Sequence, residues 1–228
     1  MRAKVLSMFI PFIFIGCDPG NNSLNPDTTQ PAATASYLLT FTSTWSAATH
    51  PLDFPPNPHF SGLVGATHNA QVSFWQEGQP ASKGIKDMAE RGLKDPLTAE
   101  IDSAILQNNA GAVLSGGGLA GSPDSVMLSF SISRDFPLIT VVSMLAPSPD
   151  WFIGVTALPL FENNQWLEKI VVNLYAYDAG TDNGSTYTAP DEVSNPPEPI
   201  TQIMEAPFLV NSTIPVIGTF TIVKQSQE

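Results

Sequence analysis

The sequence predicts a mainly β domain, an antiparallel sandwich with two short helices inserted between its strands. Three observations predict it. Runs of β-branched and aromatic residues recur along the chain, separated by clusters of Pro, Gly, Asn and Asp. The 228 residues include 21 prolines and 16 glycines, which imply many turns. Charged residues make up only 13% of the chain, too few for a coiled coil or a long-helix bundle. A hydrophobic content of 43% is enough for one sizeable core.

The elements follow in chain order. From Ser36 the sequence alternates through Tyr37, Leu39, Phe41 and Trp45, the period-two pattern of a half-buried strand. Further strand-like runs are 70–76, 126–133, 138–145, 152–161, 166–177 and 215–224. Roughly seven or eight strands within one domain suggest a sandwich. Two stretches have helical spacing instead. Ser82 to Gly92 has Ile85, Met88 and Ala89 at helical spacing and closes on Gly92; Pro96 to Asn108 places Leu97, Ile101, Ile105 and Leu106 on one face.

Charge narrows the function classes. Nine basic residues face 21 acidic ones, a net of −12. A nucleic-acid binder needs a basic footprint, and docking on anionic lipid needs a polybasic face; this chain offers neither. The N-terminus reads as an address and an anchor. Arg2 and Lys4 precede an apolar run from Val5 to Ile15, too short for a permanent span but suited to a signal-peptide core. Phe14-Ile15-Gly16-Cys17 resembles a bacterial lipobox. Residues 1–16 are therefore expected to be a lipoprotein signal peptide, and Cys17, the chain's single cysteine, the lipidated residue. Residues 17–35, rich in Pro, Asn and Thr, read as a flexible tether, and 36–228 as the domain. The expected location is the cell envelope, membrane-anchored through lipid; Asp18 leaves the membrane and leaflet open.

Four chemical patterns take their meaning from their context. Gly116-Gly117-Gly118-Leu119-Ala120-Gly121 satisfies the dinucleotide fingerprint in form, but a strand follows it where a helix should, so it reads as a flexible glycine loop. No G-x-S-x-G supplies an exposed serine nucleophile. His50, His59 and His68 are spaced nine apart in a proline-rich stretch, unlike a helical metal pair, and read as loop histidines. The acidic turn Asp178-Ala179-Gly180-Thr181-Asp182-Asn183-Gly184 opens like an EF-hand loop, but its twelfth position is Ala189, not a bidentate Glu. Spacing leaves this turn open between a calcium loop and a solvated Asx turn. A third ligand would have to come from elsewhere, and Asp150 is the candidate.

Two long segments carry a resemblance: Ala146-Pro147-Ser148-Pro149-Asp150-Trp151-Phe152-Ile153-Gly154-Val155, and Leu174-Tyr175-Ala176-Tyr177 leading into the acidic turn. With His50-Pro51, His59-Phe60-Ser61, Gly65-Ala66-Thr67-His68, Ala81-Ser82-Lys83-Gly84-Ile85 and Pro196-Pro197-Glu198-Pro199, they resemble the spondin domain family, over about residues 36–203. The resemblance implies a C2-like antiparallel β-sandwich with short helical insertions. It also implies an extracellular adhesive role without enzymatic activity, and a calcium (Ca2+) site formed by Asp150, Asp178 and Asp182. Animal members carry stapling cysteines; this chain has none after Cys17.

The function expected is a non-enzymatic, calcium-binding envelope lipoprotein whose partner is an unknown protein or glycan at the cell surface. The alternative is a carbohydrate-binding module using Trp45, Trp75, Trp166 or Tyr187 as stacking platforms. A third reading is a hydrolase using the histidine segment with Asp53.

Overall fold

The computed structural model describes residues 31–226. The expected signal peptide, Cys17 and most of the tether lie outside the described residues. The first strand, β1 (Thr34–Ser43), begins two residues before the boundary expected from sequence, and Ala35 is already buried.

Two sheets carry the fold. The smaller joins β1 to β5 (Asp124–Ser133), β10 (Lys169–Leu174) and β13 (Gly218–Lys224) in the order β10-β13-β1-β5, with every pair antiparallel. The larger contains β3 (Val64–His68), β4 (Ala110–Ser115), β6 (Leu138–Ala146), β7 (Trp151–Pro159), β11 (Tyr177–Asp178) and β12 (Thr201–Gln202) in the order β12-β11-β7-β6-β3-β4. The short β2 (His59–Phe60) pairs with β6, and β8 (Phe161–Glu162) forms a hairpin with β9 (Gln165–Trp166). The fold class expected from sequence, a mainly β antiparallel sandwich, is the one observed.

The helices form a third layer on the larger sheet. In α1 (Lys83–Arg91), Ser82 Oγ accepts the Ile85 N–H at 3.2 Å, and Gly92 closes the helix in the left-handed region at φ 66°. α2 (Asp95–Leu106) starts with proline in its first turn. Two hydrophobic cores result. Leu39, Phe41, Trp45, Ile139, Val141, Ile153 and Phe220 fill the space between the sheets. Val64, Ala66, Ile85, Met88, Leu97, Ile101, Val142 and Phe152 fill the space between the larger sheet and the helices. Covered on both faces, β6 is an almost unbroken apolar run, unlike the alternating β1.

Four expectations needed correction. Residues 70–76 form no strand: Asn69 Oδ1 accepts the Gln71 N–H at 2.9 Å and turns the chain, while Phe74 and Trp75 enter the helical-side core. The run 166–177 is divided between β9, β10 and β11, which lie in three separate sheets. The stretch holding the histidines is not all loop, since β2 includes His59 and β3 ends at His68. The glycine loop is pinned, because Leu119 is buried and exchanges backbone hydrogen bonds with Phe60 at 2.9 and 3.1 Å.

Candidate functional site at the 150 and 178–184 loops

The site sits where the larger sheet turns between β6 and β7 and where β11 ends. Ser148 builds the first turn: its hydroxyl donates to the Leu145 carbonyl at 2.5 Å and accepts the Trp151 N–H at 3.1 Å. This places Asp150 inward, with no exposed surface. β11 pairs Asp178 with Trp151, so the acidic turn begins directly beside Asp150.

The acidic turn folds around the Asp150 carboxylate. Oδ2 of Asp150 accepts the Thr181 N–H at 2.7 Å, the Thr181 hydroxyl at 3.1 Å and the Asp182 N–H at 3.1 Å. Asp178 Oδ1 accepts the Gly180 N–H at 2.7 Å, an Asx turn. Gly180 is left-handed at φ 71°, and a Cβ there would lie 2.2 Å from the Glu198 carbonyl oxygen, so only glycine fits. Asp182 uses both oxygens, accepting the N–H groups of Gly184 and Glu192, each at 2.8 Å.

One oxygen stands out: Asp150 Oδ1 is buried and has no hydrogen-bond partner among the described residues. A buried carboxylate with half its acceptor capacity unmet is costly unless a proton or a cation completes it. The pKa shifts have the same physical origin. Burial, and then the neighbouring Asp178 charge, push Asp150 up to about 6 despite the donors from Thr181 and Asp182. Burial also raises Asp178, assisted by the Glu198 and Asp182 charges and opposed by the Gly180 N–H and the Trp151 indole. A polar cleft of about 260 Å³ opens above, lined by Asp178, Asp182, Glu198 and Glu205 among others.

The fold therefore brings Asp150, Asp178 and Asp182 into one loop cluster. Their carboxylates are not drawn into a closed cage: among the described residues no group of three or more His, Cys, Asp or Glu is arranged to hold a metal ion. Sequence reasoning did not assign a role to Thr181, which gives Asp150 two of its three hydrogen bonds, or to Glu198, whose charge faces Asp178. Thr181 lay inside the acidic turn, and Glu198 inside the Pro-Pro-Glu-Pro segment that carried the family resemblance.

The chain matches the Spondin_N family over residues 35–212. It belongs to the spondin N-terminal domain family. This spondin domain is 36% identical to Spondin-2 of Homo sapiens over 176 residues, which are 75% of this chain and 53% of that protein. It is 35% identical to Spondin-1 of Gallus gallus over 173 residues, 73% of this chain and 22% of that protein. The chain thus spans about half the length of Spondin-2 (53%) and about a fifth of Spondin-1 (22%). β13 lies beyond the matched segment, yet it forms the centre of the smaller sheet with β1.

The other candidate residues of the spondin domain take structural positions. Trp45, Trp75, Trp166 and Tyr187 are all buried in the cores, Trp166 at the margin of a groove it shares with Ala35 and Gln165. Trp45 and Tyr187 pack together with ring centroids 5.5 Å apart. His50 and His68 are buried. His59 Nδ1 lies 2.8 Å from the Asn57 carbonyl oxygen. No helix among the described residues is long and apolar enough to cross a membrane.

Proposed function

We propose that this chain is a calcium-binding, non-enzymatic cell-envelope lipoprotein that presents a spondin domain for adhesion or matrix binding. The observation that carries the calcium reading is the unpartnered, buried Oδ1 of Asp150 among Asp178 and Asp182. The donor set suits a hard cation, being carboxylate and carbonyl oxygen with no nitrogen or sulfur ligand. Asp150, Asp178 and Asp182 would hold the ion, with carbonyls or water completing its shell. When bound, calcium supplies two positive charges that relieve carboxylate repulsion and tie the 150 loop to the 178–184 loop.

Membrane attachment rests on the lipobox-like Phe14–Cys17 and the polar tether. Adhesion rests on family membership. A surface partner would meet loops organised by the ion.

A thermal melt with calcium and with chelator tests the metal. At calcium one hundred times its dissociation constant, stability should rise by about 2.7 kcal/mol. Asp178→Ala should remove that gain. An unchanged melting temperature, in protein first shown to be metal-free, would sink the calcium reading. Mass spectrometry of the mature N-terminus tests the anchor: it should start at an acylated Cys17.

A further inference from the structure

Among the described residues β5 is an edge strand of the smaller sheet, paired with β1 alone. The hydrogen bonds fix which of its backbone groups are spent. The Thr44 N–H donates to Ile217, and the Gln225 N–H to Ser36, so even-numbered residues of β1 face β13. Odd-numbered residues of β1 face β5, in line with the Arg134 N–H donating to Ala33. In the observed register Leu39 pairs with Leu128 and Tyr37 with Phe130. Val126, Leu128, Phe130 and Ile132 therefore spend their backbone groups on β1. Those of Met127, Ser129 and Ser131 point to the open edge, and their side chains are exposed as well.

Protein edges are ordinarily guarded by lysine, proline, a bulge or a covering element. β5 is ten residues long, holds no proline or lysine, and pairs with β1 without a register shift. The other edges differ: β10 carries Lys169, β12 has two residues, and β4 lies beside α2. An apolar groove of about 240 Å³, lined by Ile132, Phe136, Gly111 and Ala112 among others, runs along the same end of β5.

We propose that β5 is a self-association edge: two copies pair β5 with β5 about a twofold axis at Ser129, fusing two four-stranded sheets into one. Charge selects this register. With Ser129 opposite itself, Met127 faces Ser131 of the partner subunit and Asp124 faces Arg134 of the partner subunit. The symmetry makes both contacts twice. Moving the axis to Met127 or Ser131 would still use the open backbone groups but would separate Asp124 from Arg134. Neither residue takes part in the ion pairs among the described residues. About six backbone hydrogen bonds would form, two for each of the three facing pairs. In a chain of net charge −12, an edge free of charge between Asp124 and Arg134 is a place where copies can approach. The inference does not depend on the calcium site.

The test is sedimentation velocity of the full chain in a density-matched non-ionic detergent, across a concentration series. A reversible monomer–dimer equilibrium is expected, because an edge-to-edge joint is small. Ser129→Lys, which sets two ammonium groups on the axis, should weaken the dimer at least about tenfold (~1.4 kcal/mol) while circular dichroism stays unchanged. Asp124→Arg and Arg134→Asp should each weaken it, and the two together should restore it. A chain that stays monomeric throughout overturns the proposal. So does a dimer indifferent to Ser129→Lys, open-ended growth beyond the dimer, or a double charge reversal that fails to restore association.

Discussion

Asp150 is a carboxylate placed where ionisation is expensive. Its folded pKa of about 6 lies above its ordinary value of 3.8, so between those values the folded state holds more protons than the unfolded one. Metal-free stability should therefore fall as pH rises from about 4 to about 6. Asp150→Asn keeps an acceptor for Thr181 and Asp182 but cannot ionise. In chelator at about pH 7, urea unfolding should find this variant at least as stable as the parent, with the pH-dependent fall reduced and the calcium response gone. A variant less stable than the parent by more than about 2 kcal/mol would show that the charged form is already satisfied without metal. His68 has the opposite sign, because burial lowers its pKa and the fold holds the neutral ring. Its Nδ1 lies 2.8 Å from the Asn69 carbonyl oxygen, which can only accept, so Nδ1 carries the proton. Nε2 then accepts from the Thr140 hydroxyl at 2.8 Å. Ring nitrogen NMR should show the Nδ1–H tautomer, titrating below the ordinary 6.5; a ring that charges at or above 6.5 would contradict this arrangement. Asp150 and His68 were both visible as residues of interest in the sequence, but neither environment was: burial of a polar group depends on what folds over it from distant segments.

At the scale of elements, the helices show how local and tertiary signals combine. Ser82 caps α1 from within the chain, and Glu100 of α2 completes that end, accepting the Gly84 N–H and the Ser82 hydroxyl, each at 2.7 Å. A carboxylate at a helix N-terminus also opposes the positive end of the helix dipole. Ser82→Ala removes both the cap and the tie to Glu100, and should cost about 1–2 kcal/mol in urea unfolding. A loss below about 0.5 kcal/mol would mean that Glu100 alone satisfies the turn. Both helices were legible because their signals act within a few positions of one another: a serine cap, apolar spacing and a closing glycine in α1, a first-turn proline and apolar spacing in α2. β2, β3, β4 and β12 were not. Each is short or borders glycine and proline, and each is a strand only because a partner aligns its backbone. β3 shows this plainly: its sequence Val-Gly-Ala-Thr-His has weak β propensity, yet it lies between β4 and β6 and all five residues are buried.

At the scale of the whole molecule, β6 and β7 tie the two cores together. Val141 and Ile153 face the sandwich, while Val142 and Phe152 face the helices, so neither core can be lost without disturbing the same strands. Unfolding of the domain should be a single transition. Phe41→Ala in one core and Ile101→Ala in the other should each lower stability by about 2–5 kcal/mol. Each should also shift the far- and near-ultraviolet circular dichroism melts together. Two separated melting steps in either variant would show that the helical layer unfolds on its own. The surplus of acidic residues becomes partly intelligible at this scale. Asp150, Asp178, Asp182, Glu198 and Glu205 belong to one end of the larger sheet, and the ion pairs among the described residues lie elsewhere, on α1 and between Lys224 and Glu168.

Apart from the three aspartates, to which the family resemblance pointed, the sequence by itself determined the class of fold, the long strands β1, β5, β6 and β7, and both helices. These are encoded by periodicity, caps and short-range turn chemistry, which a chain carries without knowing its partners. Only the tertiary structure decided that helices roof the larger sheet, that 166–177 feeds three separate sheets, and that Trp45, Trp75, Trp166 and Tyr187 are core. It also decided that one Asp150 oxygen is saturated by the 181–182 backbone and the Thr181 hydroxyl while the other is left bare. Those outcomes depend on contacts between residues far apart in the chain, where burial and pairing outweigh local preference.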